Sequence, residues 1–211
     1  MIPIKHICSL GNNCHTATLL KRNNWKKESY PFDWVFSNIN LIKHCIDDKF
    51  EKFLDKQYYP DKDPNSWQQN HVYYFPFSED KMFNHKNPMK DEDYEYYKRC
   101  VARFKQFIRK PGFKVFLNMH LNHDPINKMF KAKMIKLNNF LNETCDNYAL
   151  ICIVQGVGPK QDYQFETNSN IHFINLTTLS PSNGKEFINP KDNEFLDNLL
   201  KKVYRFDIEK L

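Results

Sequence analysis

With 211 residues, 41% of them hydrophobic and 15% aromatic, the chain can bury one sizeable core and is too short for several domains. A net charge of +6 is compatible with an anionic substrate, but there is no run of five basic residues and so no specific nucleic-acid signature. The six cysteines form no C-x-x-C pair, no apolar stretch reaches membrane-spanning length and no secretory leader is visible. A cytoplasmic setting with free thiols, no membrane partner and no cofactor is the expectation.

In chain order, residues 4–10 are an apolar run that reads as a short buried strand, broken at Gly11. Cys14–Arg22 reads as a short helix, and Asn38 as the cap of a second one reaching Asp47, which residues 50–54 continue after a bend. Residues 58–69 form a polar loop, residues 71–77 alternate aromatic and polar as a strand does, and residues 78–90 are irregular. Residues 56–90 are therefore expected to be an irregular insertion or lid on a single α/β domain spanning 1–211. Residues 91–109 are the clearest helix: Tyr94, Tyr97, Val101, Phe104 and Ile108 fall at helical spacing, acids stand at its start, and Pro111-Gly112 stops it.

The second half repeats one theme, with strands at 114–119, 148–154 and 171–176 and helices at 125–142 and 190–204. The run Tyr-Ala-Leu-Ile-Cys-Ile-Val from Tyr148 suits a strand covered on both faces. This order predicts a mostly parallel sheet with helices on both faces, a Rossmann-like or hydrolase-like three-layer α/β fold.

Ligands of such sheets bind at the carboxyl ends of the strands. Those ends carry Asn12, Asn13 and Cys14; then His120, with Asn122, His123 and Asp124 following; then Gln155. A strand that breaks at a glycine and delivers a cysteine to the first turn of a helix is a recipe for a reactive thiol, because free N–H groups and the helix dipole lower its pKa. Cys14 is thus the candidate nucleophile, against the plainer reading of a small buried helix residue. It needs a histidine as base. His120 leaves its strand at the same sheet edge and is the first choice, His123 the second; His85 and His71 enter if the irregular segment folds over the site. Asn12 and Asn13 can face an oxyanion or a phosphate. Asp33, between Phe32 and Trp34, is either a turn cap or a group with a functional partner, and Trp34 is core or site wall. The spacing of His120, His123 and Asp124 does not match zinc ligands, so no metal is expected. The absence of G-x-G-x-x-G and of a Walker A sequence disfavours the standard nucleotide sites.

The stretch from Ser9 to Ala17, Leu20-Lys21-Arg22, Ser29-Tyr30-Pro31-Phe32-Asp33-Trp34, and more weakly Tyr97-Lys98-Arg99 with Arg103-Phe104, resemble a family of unknown function found in bacteria and large DNA viruses and labelled papain-like cysteine peptidase. The resemblance covers roughly the first half and fades after about residue 120. It implies Cys14 as nucleophile and Asp33 as a site residue, and it maps the histidine to no single position. Its label implies a helical lobe against an antiparallel barrel, which the strand–helix–strand order opposes. A Lys- and Asn-rich, Gly-poor composition fits an AT-rich genome, hence a bacterium or a virus acting in host cytoplasm.

Two functional classes follow. One is a thiol-dependent hydrolase or acyl transferase using Cys14, with His120 as base, Asp33 positioning, and Asn12, Asn13, Trp34, His85, His123 and Gln155 around the substrate. The other is a sugar- or nucleotide-handling transferase, or an inactive binding module, in which Cys14 is structural.

Overall fold

A computed structural model describes residues 2–74 and 82–208. Five strands form one sheet: β1 (His6–Ser9), β2 (Lys114–His120), β3 (Tyr148–Val157), β4 (Asp162–Asn168) and β5 (Ile171–Thr178). Their order is β1-β2-β3-β5-β4; β1, β2, β3 and β5 run parallel, and β4 pairs antiparallel along β5. Among the described residues five α-helices cover the sheet: α1 (Cys14–Arg22), α2 (Ile39–Asp47), α3 (Asp91–Phe107), α4 (Lys128–Asn142) and α5 (Pro190–Val203).

Strand alternation sorts the core into two layers. On one face Cys8, Phe116, Leu150, Cys152 and Phe173 meet the apolar sides of α2, α3 and α4. On the other, Ile7, Val115, Leu117, Ile151, Ile153 and Ile174 meet Leu19 and Leu20 of α1 and Leu196, Leu199 and Leu200 of α5. The result is the three-layer α/β arrangement expected from the order of elements, not the lobe-and-barrel arrangement that the word papain-like implies.

Among the described residues between α2 and α3 the helical elements are single 3₁₀ turns at Lys52–Leu54 and Lys56–Tyr58, yet these residues are packed. Phe53, Tyr59, Tyr74, Met82 and Phe83 are fully buried and extend the layer that holds α2, α3 and α4. Each buried ring is worth roughly 1.5–3 kcal/mol in area removed from water, which helps hold these residues in place. The strand expected over residues 71–77 is corrected for its first part: residues 71–74 make a turn in which the Tyr74 N–H donates to the His71 carbonyl at 3.0 Å. The rings of His71 and Tyr74 lie 4.5 Å apart, both turned into the aromatic cluster, so the alternation reflects a turn folding two rings inward. Residues 75–77 lie outside the described residues.

β4 was not legible as a strand. It is exposed along most of its length and contributes only Tyr163 and Phe165 as apolar residues, so it carries no buried face to create a strong pattern. Among the described residues no helix is long and apolar enough to cross a membrane.

Candidate active site

β1 ends in a tight turn whose geometry excludes most side chains. Gly11 has φ +71°, and a Cβ there would lie 2.5 Å from Ser37 Oγ and 2.8 Å from the Phe32 carbonyl oxygen. The Gly11 N–H donates to Ser9 Oγ at 3.0 Å and the Asn12 N–H to Ser37 Oγ at 3.2 Å, so two serines fix the turn from either side. Asn12 is itself left-handed at φ +91°, a conformation asparagine tolerates better than most residues. Asn13 then caps α1, its side-chain oxygen accepting the His15 N–H at 3.1 Å. Cys14 is the first helical residue and only 4% exposed.

Over Cys14 stands His85, whose Nε2 is 3.1 Å from Sγ. His85 is solvent-exposed and belongs to the irregular segment, which is pinned two residues earlier. Phe83 makes isolated bridges to both Val35 and Gln69, and the Phe36 N–H donates to the Met82 carbonyl at 2.9 Å. Trp34 meets the imidazole edge to face, with centroids 6.2 Å apart at 90°. On the far side, the Asn87 N–H and the Lys86 ammonium both bond Asp93 of α3.

Burial pushes the Cys14 thiol up to about 11, against the pull of Lys185 and of its own backbone N–H. Burial, with Lys185 adding to it, holds His85 below the ordinary histidine range. Both shifts favour the neutral pair, a protonated thiol beside an uncharged imidazole. This corrects the expectation of a thiolate prepared by the helix start: taking the sulfur out of water outweighs the first-turn N–H groups and the dipole. What the pair can do is remove the thiol proton in step with attack, as a serine–histidine pair does.

The residues singled out in the sequence divide into three groups. Cys14, His85, Trp34, Asn12 and Asn13 come together at the turn. His120, the first choice as base, sits beside that turn but bonds Asn12: its Nδ1 is 3.2 Å from Asn12 Nδ2, and its ring packs edge-on against Phe130 of α4. The reason is strand parity, since His120 shares its face of β2 with Phe116, the face covered by α4. His123 is exposed next to His120. His71 is buried and bonds the Lys52 carbonyl at 2.8 Å. Asp33, through Oδ2, and Gln155 make structural contacts, while Asp33 Oδ1 is buried without a hydrogen-bond partner among the described residues. Asp33 is fully buried, pairs with Lys26 and accepts the Tyr30 N–H at 2.8 Å, the turn-cap reading of its position. Gln155 is fully buried between the Asn122 N–H at 2.9 Å and Thr178 Oγ1 at 2.6 Å. Among the described residues no group of three or more His, Cys, Asp or Glu is placed to hold a metal ion. All six cysteines are free thiols and buried.

One part of the site had no sequence signal. The buried His15 holds Ser182 Oγ at 2.8 Å through Nδ1, and Ser182 is gripped at both its N–H and its carbonyl by the Asn122 side chain. This fixes the loop after β5 against α1 and brings Lys185 close enough to act on both Cys14 and His85. A lone histidine beside a cysteine and a serine 167 residues away share no spacing that could reveal the contact.

A cysteine at the amino end of a helix, leaving the first strand of a parallel sheet with an imidazole on its sulfur, defines a cysteine–histidine site on an α/β scaffold. The chain belongs to the family described as "Putative papain-like cysteine peptidase", whose model matches residues 5–152, further along the chain than the motifs of the first half reach. The match includes Cys14 and His85 and stops before β4, β5 and the Lys185 loop. A relative, "Uncharacterized protein R408" of Acanthamoeba polyphaga mimivirus, is 50% identical over 46 residues, which are 21% of each of the two chains. No solved structure matches the chain.

Proposed function

We propose that the protein is a thiol-dependent hydrolase or acyl transferase in which Cys14 is the nucleophile and His85 the general base. The observation that carries this reading is the 3.1 Å contact between Cys14 Sγ and His85 Nε2 at the first turn of α1. In the first step sulfur forms a bond to a substrate carbonyl carbon while Nε2 takes the thiol proton. The oxyanion would develop against the backbone N–H groups at Asn13 and Cys14. His85 then returns the proton to the leaving group as its bond to carbon breaks, leaving a thioester on Cys14. Water (in a hydrolase) or another nucleophile (in a transferase) is deprotonated by His85 and releases the acyl group. Trp34 positions the imidazole, and Lys185 brings positive charge to the same spot.

The test is iodoacetamide labelling of the folded protein, read by peptide mass spectrometry, with the other five buried cysteines as internal controls. Cys14 is expected to react at least about tenfold faster than any of them, and His85→Gln to remove most of that advantage. A Cys14 that reacts like the others, or whose rate ignores His85→Gln, overturns the reading.

One observation favours a second reading, a sugar- or nucleotide-handling transferase. A cleft of 590 Å³ at the carboxyl ends of β3 and β5 is lined by Asn122, His123, Asp124, Asn175 and Thr177, and by neither Cys14 nor His85. Thermal stabilisation by a nucleotide-sugar panel, undiminished in Cys14→Ser, would favour it.

A further inference from the structure

A smaller cavity, 270 Å³, opens on the other side of His120. Two helices begin at its wall. Asn38 caps α2 and Asn127 caps α4, and both caps line the cavity. Neither helix has an acidic residue in its first turn. Two positive helix ends therefore meet at one place without the carboxylates that usually offset them. The same wall carries His120, His123 and Lys133, and no Asp or Glu lines it.

A second observation is independent of the helices. The Asn12 side-chain nitrogen can only donate, so His120 Nδ1 accepts and the ring proton of the neutral imidazole sits on Nε2. That Nε2 is buried and finds no hydrogen-bond partner among the described residues. A buried N–H without an acceptor is unfavourable by about 1–3 kcal/mol. A water could accept this one bond, but it would leave two helix ends, His123 and Lys133 uncompensated. The rim beside these groups is apolar: Ile39, Phe130 and Met129, which is 65% exposed.

We propose that this cavity is a binding subsite for a phosphoryl group, carried on an organic molecule whose apolar part lies along Met129 and Phe130. Donors from His120, His123, Lys133 and two helix starts, arrayed around one cavity, match the three outer oxygens of a phosphoryl group better than the two of a carboxylate. His120 ties the subsite to Asn12, two residues before Cys14. Resting on the function proposed above, that link makes the ligand an acyl substrate bearing a phosphate, with its carbonyl presented to Cys14.

The test is NMR of the histidine imidazoles during titration with inorganic phosphate, against chloride at matched ionic strength. Saturable movement of the His120 signals is expected, with Lys133→Gln and His123→Gln each weakening binding about three- to tenfold. Both variants change exposed side chains, so folding is kept. Acetate binding as tightly as phosphate overturns the phosphoryl assignment. No saturable movement of His120, or affinity that ignores both variants, overturns the subsite altogether. Phenyl phosphate separates the two sources of the group: tighter binding than inorganic phosphate marks a substrate's phosphate, and equal binding assigns the cavity to the free ion and overturns the substrate role. Cys14→Ser is expected to bind phosphate as the unaltered protein does, so the subsite can stand or fall separately from the labelling experiment.

Discussion

His85 Nε2 lies 3.1 Å from Cys14 Sγ, although the two residues are 71 positions apart. They come from different parts of the fold: Cys14 opens α1, and His85 lies in irregular chain held by the bridges of Phe83. His85→Gln removes the proposed base while leaving an exposed position filled, so the fold is expected to persist. Thiol-dependent turnover should fall by about 10²- to 10⁴-fold, the usual worth of a positioned base. Because burial and Lys185 hold the His85 pKa down, its basic form persists to lower pH than that of an ordinary histidine. The acid limb of the rate profile should lie below the ordinary histidine value of about 6.5. A profile that rises only at the alkaline end would show that thiol ionisation alone governs the rate.

Gly11→Ala addresses the turn that presents Cys14. A Cβ would meet both Ser37 Oγ and the backbone oxygen of Phe32, and the backbone would be held at a positive φ. The strain and the overlap should together destabilise the fold by about 2–4 kcal/mol, measured by urea denaturation. A Gly11→Ala variant as stable as the parent would mean that the turn relaxes freely and does not fix the thiol.

Asp33 separates a catalytic role from a structural one. Its carboxylate is buried against Lys26, and it caps the turn at Tyr30. Asp33→Asn strands the Lys26 ammonium, whose side chain is only 10% exposed, and should lower stability by about 3 kcal/mol. The Cys14 labelling rate of the folded protein should change little. A large drop in that rate at unchanged stability would return Asp33 to the reacting group.

Much of this molecule could be read before its structure. The helices α1 and α2 carry side-chain caps at Asn13 and Asn38, and β3 is a continuous apolar run, so their boundaries follow from local chemistry. Cys14 was legible for the same reason, as the residue after a glycine turn and a cap. The histidine partner was not. Its choice depends on how the described residues between 50 and 90 pack, and that packing comes from rings such as Phe53 and Phe83 meeting at long range rather than from any period. His120 looked better because it ends a strand, but its parity on β2 turns it to Asn12 and Phe130. β4 escaped because an exposed edge strand buries too little to leave a pattern.

Acid should weaken the fold through buried histidines outside the dyad, His15 and His71 foremost. Burial lowers His15 to about 3 and His71 to about 4, and both are fully buried. Below about pH 6.5 the unfolded chain takes up a proton at each while the folded protein does not, so stability rises with pH and is lost on acidification. The loss should proceed from about pH 6.5 down to about pH 4, with a slope approaching 2.7 kcal/mol per pH unit for the two together. Chemical denaturation across that range measures it, and His71→Gln should lower the slope by about 1.4 kcal/mol per pH unit. A slope untouched by that change would place the proton uptake elsewhere.

Lys185 is the residue through which the carboxyl-terminal part of the chain reaches the site. It lowers both the Cys14 and the His85 pKa, so its removal should raise both. Lys185→Met, at an exposed position, is therefore expected to leave stability nearly unchanged while shifting the acid and alkaline limbs of the Cys14 labelling profile to higher pH. Ser182→Ala acts one step back. It takes the hydroxyl from His15 Nδ1 and from the Gly184 N–H, loosening the loop that carries Lys185. It should shift the limbs the same way and also cost about 1–3 kcal/mol of stability. If Ser182→Ala lowers stability while the limbs of both variants stay where they were, then the loop serves only to cover α1, and the dyad works without its charge.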